Sequence, residues 1–105
     1  MANIFEMVKQ AGQLRKEMKR IESTLAEKRV EHSVNGGKIK VVARGDMKVE
    51  SIVIHPELLA PDRLGKLQDL LVSAVNGALD DAKKKAGSEM SKLAGGLGLP
   101  NFPGL

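Results

Sequence analysis

The sequence predicts an α+β domain of two layers, in which two long helices flank a three-stranded antiparallel sheet. Apolar residues recur at steps of three and four from Ile4 to Leu25, and again from Leu64 to Leu93. Between them, from Val30 to Ile54, the period drops to two, and glycine-bearing turn signals interrupt that segment twice.

In the first helix Ile4, Met7, Ala11, Leu14, Met18, Ile21 and Leu25 form a heptad seam. Asn3 is a good N-cap, and Glu6 three residues on completes a capping-box pattern, so the helix is expected to run from Ile4 to about Arg29. Gly12 costs about 1 kcal/mol relative to alanine inside a helix, and its missing side chain leaves room for a close helix crossing.

Val30, His32 and Val34 then alternate with Glu31 and Ser33, and Asn35-Gly36-Gly37 supplies the positive φ angles of a tight turn. Lys38 to Ala43 reads as a second strand, Arg44-Gly45-Asp46 as a turn, and Met47 to Ile54 as a third strand. Val49 is out of phase with Ile52 and Ile54. Either a bulge near Glu50-Ser51 resets the facing or both faces are covered, and the bulge is the favoured expectation.

His55-Pro56 ends the third strand, and Pro61-Asp62 reads as the entry to the second long helix. Its seam is Leu64, Leu67, Leu71, Ala74, Ala78 and Ala82, thickened by Leu70, Val75 and Leu79 and extended past Gly87 by Met90 and Leu93. Gly77 and Gly87 read as weak points. Gly95-Gly96 is expected to stop the helix, leaving a single domain over 1–94 and a flexible Gly/Pro-containing tail over 95–105.

A helix from Ile4 to Arg29 is about 40 Å long, whereas a compact chain of this size has a radius of gyration near 13 Å. The helix therefore overhangs the body and leaves its seam wet unless another surface covers it. A twofold homodimer meets that need. The far ends of the two helices, near the amino terminus and Met90, are expected to pair as an arm, and two arms to form a clamp.

The absence of cysteine excludes disulfides, thiolate metal sites and cysteine nucleophiles, and points to a reducing, cytoplasmic setting. No signal peptide and no membrane span are expected. Seventeen Lys and Arg against thirteen Asp and Glu leave a net charge of +4, which leans toward an anionic partner. Two Phe with no Trp or Tyr argue against a base-stacking platform for single strands and RNA, and leave backbone contact to duplex nucleic acid open.

Lys9, Lys16, Lys19 and Arg20 fall on the face of the first helix opposite its seam, with Arg15 at the margin. An ordinary solvated face that also carries Glu17 and Glu22 accounts for them equally well. Lys83, Lys84 and Lys85 form the densest positive run, with Lys92 further along and Asp80-Asp81 just before; helix-dipole complementation or solubility would produce the same order. Lys38, Lys40, Arg44 and Lys48 offer a second basic surface on the strands, although defence against edge pairing explains them better.

His32 and His55 lack metal-ligand spacing, the serines lack a nucleophile context, and neither glycine pair belongs to a phosphate loop. No catalytic residue, cofactor, metal or small-molecule substrate is therefore expected, and the chain does not read as an enzyme.

Several segments together resemble the YbaB/EbfC family along the whole chain. These are Lys9-Gln10-Ala11 in a Met- and Gln-bearing first helix, Gly36-Gly37 before a basic strand, and Val49-Glu50-Ser51-Ile52-Val53-Ile54-His55-Pro56-Glu57-Leu58-Leu59. Leu67-Gln68-Asp69-Leu70-Leu71-Val72-Ser73-Ala74-Val75-Asn76, Met90-Ser91-Lys92-Leu93 and Gly95-Gly96-Leu97 complete the set. Gly77, where the family usually has a polar helix former, and His55, where an acidic residue is common, depart from the pattern.

The resemblance implies a tweezer-shaped homodimer that binds DNA through protruding helices, at the nucleoid, with effects on nucleoid organisation and gene expression. Lys9, Arg15, Lys16 and Lys19 on one helix, with Lys83, Lys84, Lys85 and Lys92 on the other, are then the expected phosphate ligands. Little sequence specificity follows, because no groove-reading Asn-Arg surface is evident. The alternative is an adaptor whose arms grip a protein of the replication or recombination machinery.

Overall fold

Alternation and turn chemistry build the centre of the molecule. The computed structural model describes residues 3–96. They form α1 (Ile4–Ala26), β1 (Arg29–Val34), β2 (Ile39–Arg44) and β3 (Val49–Ile54), two short 3-10 turns (Pro56–Leu59 and Pro61–Arg63) and α2 (Leu64–Gly96). The strands make an antiparallel meander in the order β1-β2-β3, which is the α+β arrangement the periodicity predicts.

Asn35 and Gly36 both take positive φ, and Val34 accepts a 3.2 Å hydrogen bond from the Gly37 amide. Gly37 continues the positive φ angles, and with Val34 paired to Ile39 the loop between the strands runs from Asn35 to Lys38. The second turn is longer than expected: Met47 takes φ +66° and joins it, so β3 starts at Val49 rather than Met47. Gly45 is required there because a Cβ would lie 2.7 Å from the Leu25 carbonyl oxygen, where the turn presses on the end of α1.

The bulge is present. Val42 pairs with Ser51 but Ala43 pairs with Val49, leaving Glu50 as the extra residue and returning Val49 to the face shared by Ile52 and Ile54. Glu50 turns its carboxylate to Arg29 Nε, 2.7 Å away.

Ile39, Val41 and Ala43 of the central strand are completely buried under α2, which presents Leu67, Ala74, Ala78 and Ala82. Alanines every fourth residue bring that helix close to the sheet. It covers β1 and β2 and barely reaches β3, so Val49 and Ile52 stay partly wet on the inner face.

Several boundaries shift. α1 stops at Ala26 rather than near Arg29, because Arg29 is claimed by the ladder opposite Arg44. Pro61 and Asp62 open a 3-10 turn, and α2 proper begins at Leu64. Leu64 stays exposed although it lies on the predicted seam. Gly95 and Gly96 are the last residues of α2, and positions 97–105 of the expected tail lie outside the described residues.

Gly77 is a slot. A Cβ there would meet His32 Nε2 at 2.3 Å, and the ring that fills the slot pairs through Nδ1 with Asp81 Oδ2 at 2.8 Å. Gly12, by contrast, has nothing within 4 Å, so no close crossing among the described residues explains it.

The shape is elongated, 70 × 23 × 20 Å with a radius of gyration of 19.4 Å, well above the roughly 13 Å of a compact domain this size. Most of α1 projects from the body: Ile4, Phe5, Met7, Val8, Leu14 and Met18 are between 54% and 78% exposed. The expected pairing of the amino terminus with Met90 does not occur. Met90 instead shares a groove with Met18, well along α1 from its start.

Candidate nucleic-acid interface

A helix turns about 100° per residue, so three consecutive lysines cannot share one face. Lys83, Lys84 and Lys85 accordingly fan out around α2. Lys83 borders a groove of about 340 Å³ between the two helices, lined chiefly by Met18, Ile21, Leu25, Met47, Ala86 and Met90. An adjoining depression on α1 is lined by Ala11, Leu14, Arg15, Met18, Lys19 and Glu22. Arg15, Lys19 and Lys83 therefore border one continuous apolar strip, which places Lys19 beside the seam of α1 and not on the opposite face as the heptad pattern predicts.

Lys9 lies on another face of α1, beside Glu6, Gln10 and Gln13, and Lys16 follows it two turns later. Lys84 is exposed on α2. Lys85 points elsewhere: its ammonium lies 3.6 Å from Glu89, which also draws Lys92 at 3.6 Å and Lys28 at 3.9 Å. The eight predicted residues thus divide into six without an ion-pair partner among the described residues and two that share a carboxylate.

The sheet behaves differently. Lys38 pairs with Glu57, Lys40 with Glu31, Arg44 with Asp46 and Arg29 with Glu50, so most strand cations are neutralised in place. Arg20 on α1 is likewise held by Glu17 at 2.7 Å. Unpaired positive charge concentrates on the helices, where Lys9, Arg15, Lys16, Lys19, Lys83 and Lys84 stand.

Sequence reasoning missed Glu89 and Asp81 as partners. The spacing of Lys85, Glu89 and Lys92 at i, i+4 and i+7 was the available signal for the first. Nothing local pointed to the second, since His32 lies 49 residues from Asp81. His55 is also structural: its Nδ1 accepts the Glu57 amide at 3.2 Å and starts the first 3-10 turn.

Four carboxyl groups sit below their ordinary values. Hydrogen bonds from Arg44, Arg29 and Lys38 lower Asp46, Glu50 and Glu57 respectively. Burial pushes Glu89 up, but the ammonium groups of Lys28, Lys92 and Lys85 outweigh it and leave a net lowering. Groups with a depressed folded pKa give stability that is present above the unfolded value and lost as pH falls through the folded one. Denaturation midpoints are therefore expected to hold at neutral pH and to drop as pH is lowered past the ordinary values of 4.5 and 3.8. A urea series from about pH 7 down to about pH 2.5 reads this directly, and a midpoint that rises on acidification would contradict it.

Among the described residues no group of three or more His, Asp or Glu is arranged to hold a metal, and no helix is long and apolar enough to cross a membrane.

A family model described as the YbaB/EbfC DNA-binding family matches residues 1–97. The chain is 45% identical over 103 residues to a nucleoid-associated protein of Ruminiclostridium cellulolyticum, covering 98% of this chain and 88% of that one. It is 45% identical to one of Acetivibrio thermocellus (98% and 89% covered) and 39% identical to one of Pelotomaculum thermopropionicum (95% of each). The crystal structure of an uncharacterized Helicobacter pylori protein shares the fold at a TM-score of 0.61 and 18% identity, over 77% of this chain and 94% of that one.

Proposed function

The chain belongs to the YbaB/EbfC DNA-binding family, and we propose on that basis that it is a nucleoid-associated protein of the cytoplasm that binds duplex DNA as a homodimer, through phosphates and with little sequence preference. One observation carries this reading: the cations on the sheet other than Lys48 are matched by acids, whereas Lys9, Arg15, Lys16, Lys19, Lys83 and Lys84 on the helices are not matched among the described residues. Unmatched ammonium and guanidinium groups on a projecting helix are free to replace the counterions condensed on a polyanion.

The wet apolar stripe of α1 and the uncovered inner face of β3 supply the reason for a second copy. With two chains joined, neutralising about six phosphates is a modest demand: two by each α1 and one by each α2.

The test is a gel-shift titration against salt, with the sedimenting mass of the free protein measured alongside. About six neutralised phosphates give a log–log slope near −5, and a Lys83→Ala/Lys84→Ala variant should flatten it by about two. The mass expected is that of two 11.3 kDa chains. A flat salt response removes the phosphate reading, and a single-chain mass at micromolar concentration removes the dimer.

A further inference from the structure

Glu89 is only 8% exposed, and three lysines converge on its carboxylate. Two of them come from its own helix face, while Lys28 comes from the turn between α1 and β1, so the carboxylate ties the projecting end of α2 to the root of α1. The lysine side chains themselves remain 39% to 70% exposed. They can therefore turn outward to an approaching phosphate without any rearrangement of the backbone. A carboxylate ringed by three ammonium groups occupies the place that an external oxyanion would take.

Resting on the duplex-binding reading above, we propose that Glu89 competes from within with DNA phosphate for Lys28, Lys85 and Lys92, and so holds binding below the strength that the basic residues would give unopposed. Lys85 and Lys92 then contribute to DNA only to the extent that phosphate displaces Glu89. The cost of leaving a nearly buried carboxylate without partners opposes that exchange. The arrangement keeps the complex weak enough to be readily released.

Duplex affinity against salt is measured for the wild type, Glu89→Gln and Glu89→Asp, with a thermal melt of each. Glutamine keeps the shape and removes the charge. It should bind roughly tenfold tighter at about 0.1 M salt, with a slope steeper by about one unit per dimer. Aspartate keeps the charge and should stay close to wild type. A structural role alone would loosen the junction and weaken binding, so a gain in affinity alongside a lower melting temperature separates the two.

Equal or weaker binding by Glu89→Gln overturns the proposal. No binding by the wild type at low salt overturns the duplex reading instead. Should Glu89→Gln not fold, a carboxyl NMR titration of the wild type decides: adding duplex must raise the Glu89 pKa as its lysines leave, and an unchanged value overturns the proposal.

Discussion

Replacing Lys9, Arg15, Lys16 and Lys19 together by glutamine should lower duplex affinity at about 0.1 M salt by about three orders of magnitude and flatten the salt slope by roughly three to four units. The size follows from removing two phosphate ligands from each α1 of a dimer. The same variant should leave folding stability within about 0.5 kcal/mol of wild type, because none of the four side chains has an ion-pair partner among the described residues. That pairing of a large binding loss with an unchanged urea midpoint is what identifies a contact surface. Affinity retained within a factor of about ten would move the interface off α1 and onto α2. A midpoint lowered together with affinity would mark the residues as structural.

Ile39→Ala should cost about 2–5 kcal/mol of stability, a large part of the roughly 5–15 kcal/mol that a domain commands. Ile39 lies on the central strand with no solvent exposure, packed beneath Leu58 and the alanine stripe of α2. Among the described residues it and Val41 are the largest side chains buried completely. The core is shallow because alanines face the sheet from α2, so the few large neighbours such as Leu58 and Leu67 can fill only part of the cavity. Ile39→Val should cost only about 0.5–1.5 kcal/mol. Urea denaturation at one fixed protein concentration is the measurement, since association would otherwise shift the midpoint. Losses equal for the two variants would show that the site collapses freely.

Most of the architecture was legible in the sequence because its signals are local. Helical and two-residue periods located α1, the strands and α2, Asn35-Gly36 fixed the first hairpin, and the phase slip at Val49 disclosed the bulge at Glu50. The shifts at element ends have a common cause, competition between neighbours. Arg29 satisfied the helical pattern in sequence but was drawn into the ladder, and Met47 was drawn into a turn.

The candidate site was legible only as composition. Lysine runs showed where charge accumulates along the chain, but not which charges are cancelled by residues distant in sequence. Glu57 reaching Lys38 and Glu50 reaching Arg29 are partnerships created by topology. The slot at Gly77 is a similar case: read along one helix it is a weakness, and only the strand beside it shows that His32 needs the space.

The attachment of α1 through its last two turns alone has a thermodynamic consequence. The stretch of α1 beyond those turns is about 15 residues, the length at which a helix without partners is marginal in water, so where no second copy covers it the outer turns belong to the least protected part of the molecule and unwind without disturbing the sheet. Amide exchange should quicken toward Ile4 while the ladder of β2 stays protected. Whatever settles on this helix must supply part of its order, which lowers the affinity obtained per unit of buried area and lets one surface conform to partners of differing curvature.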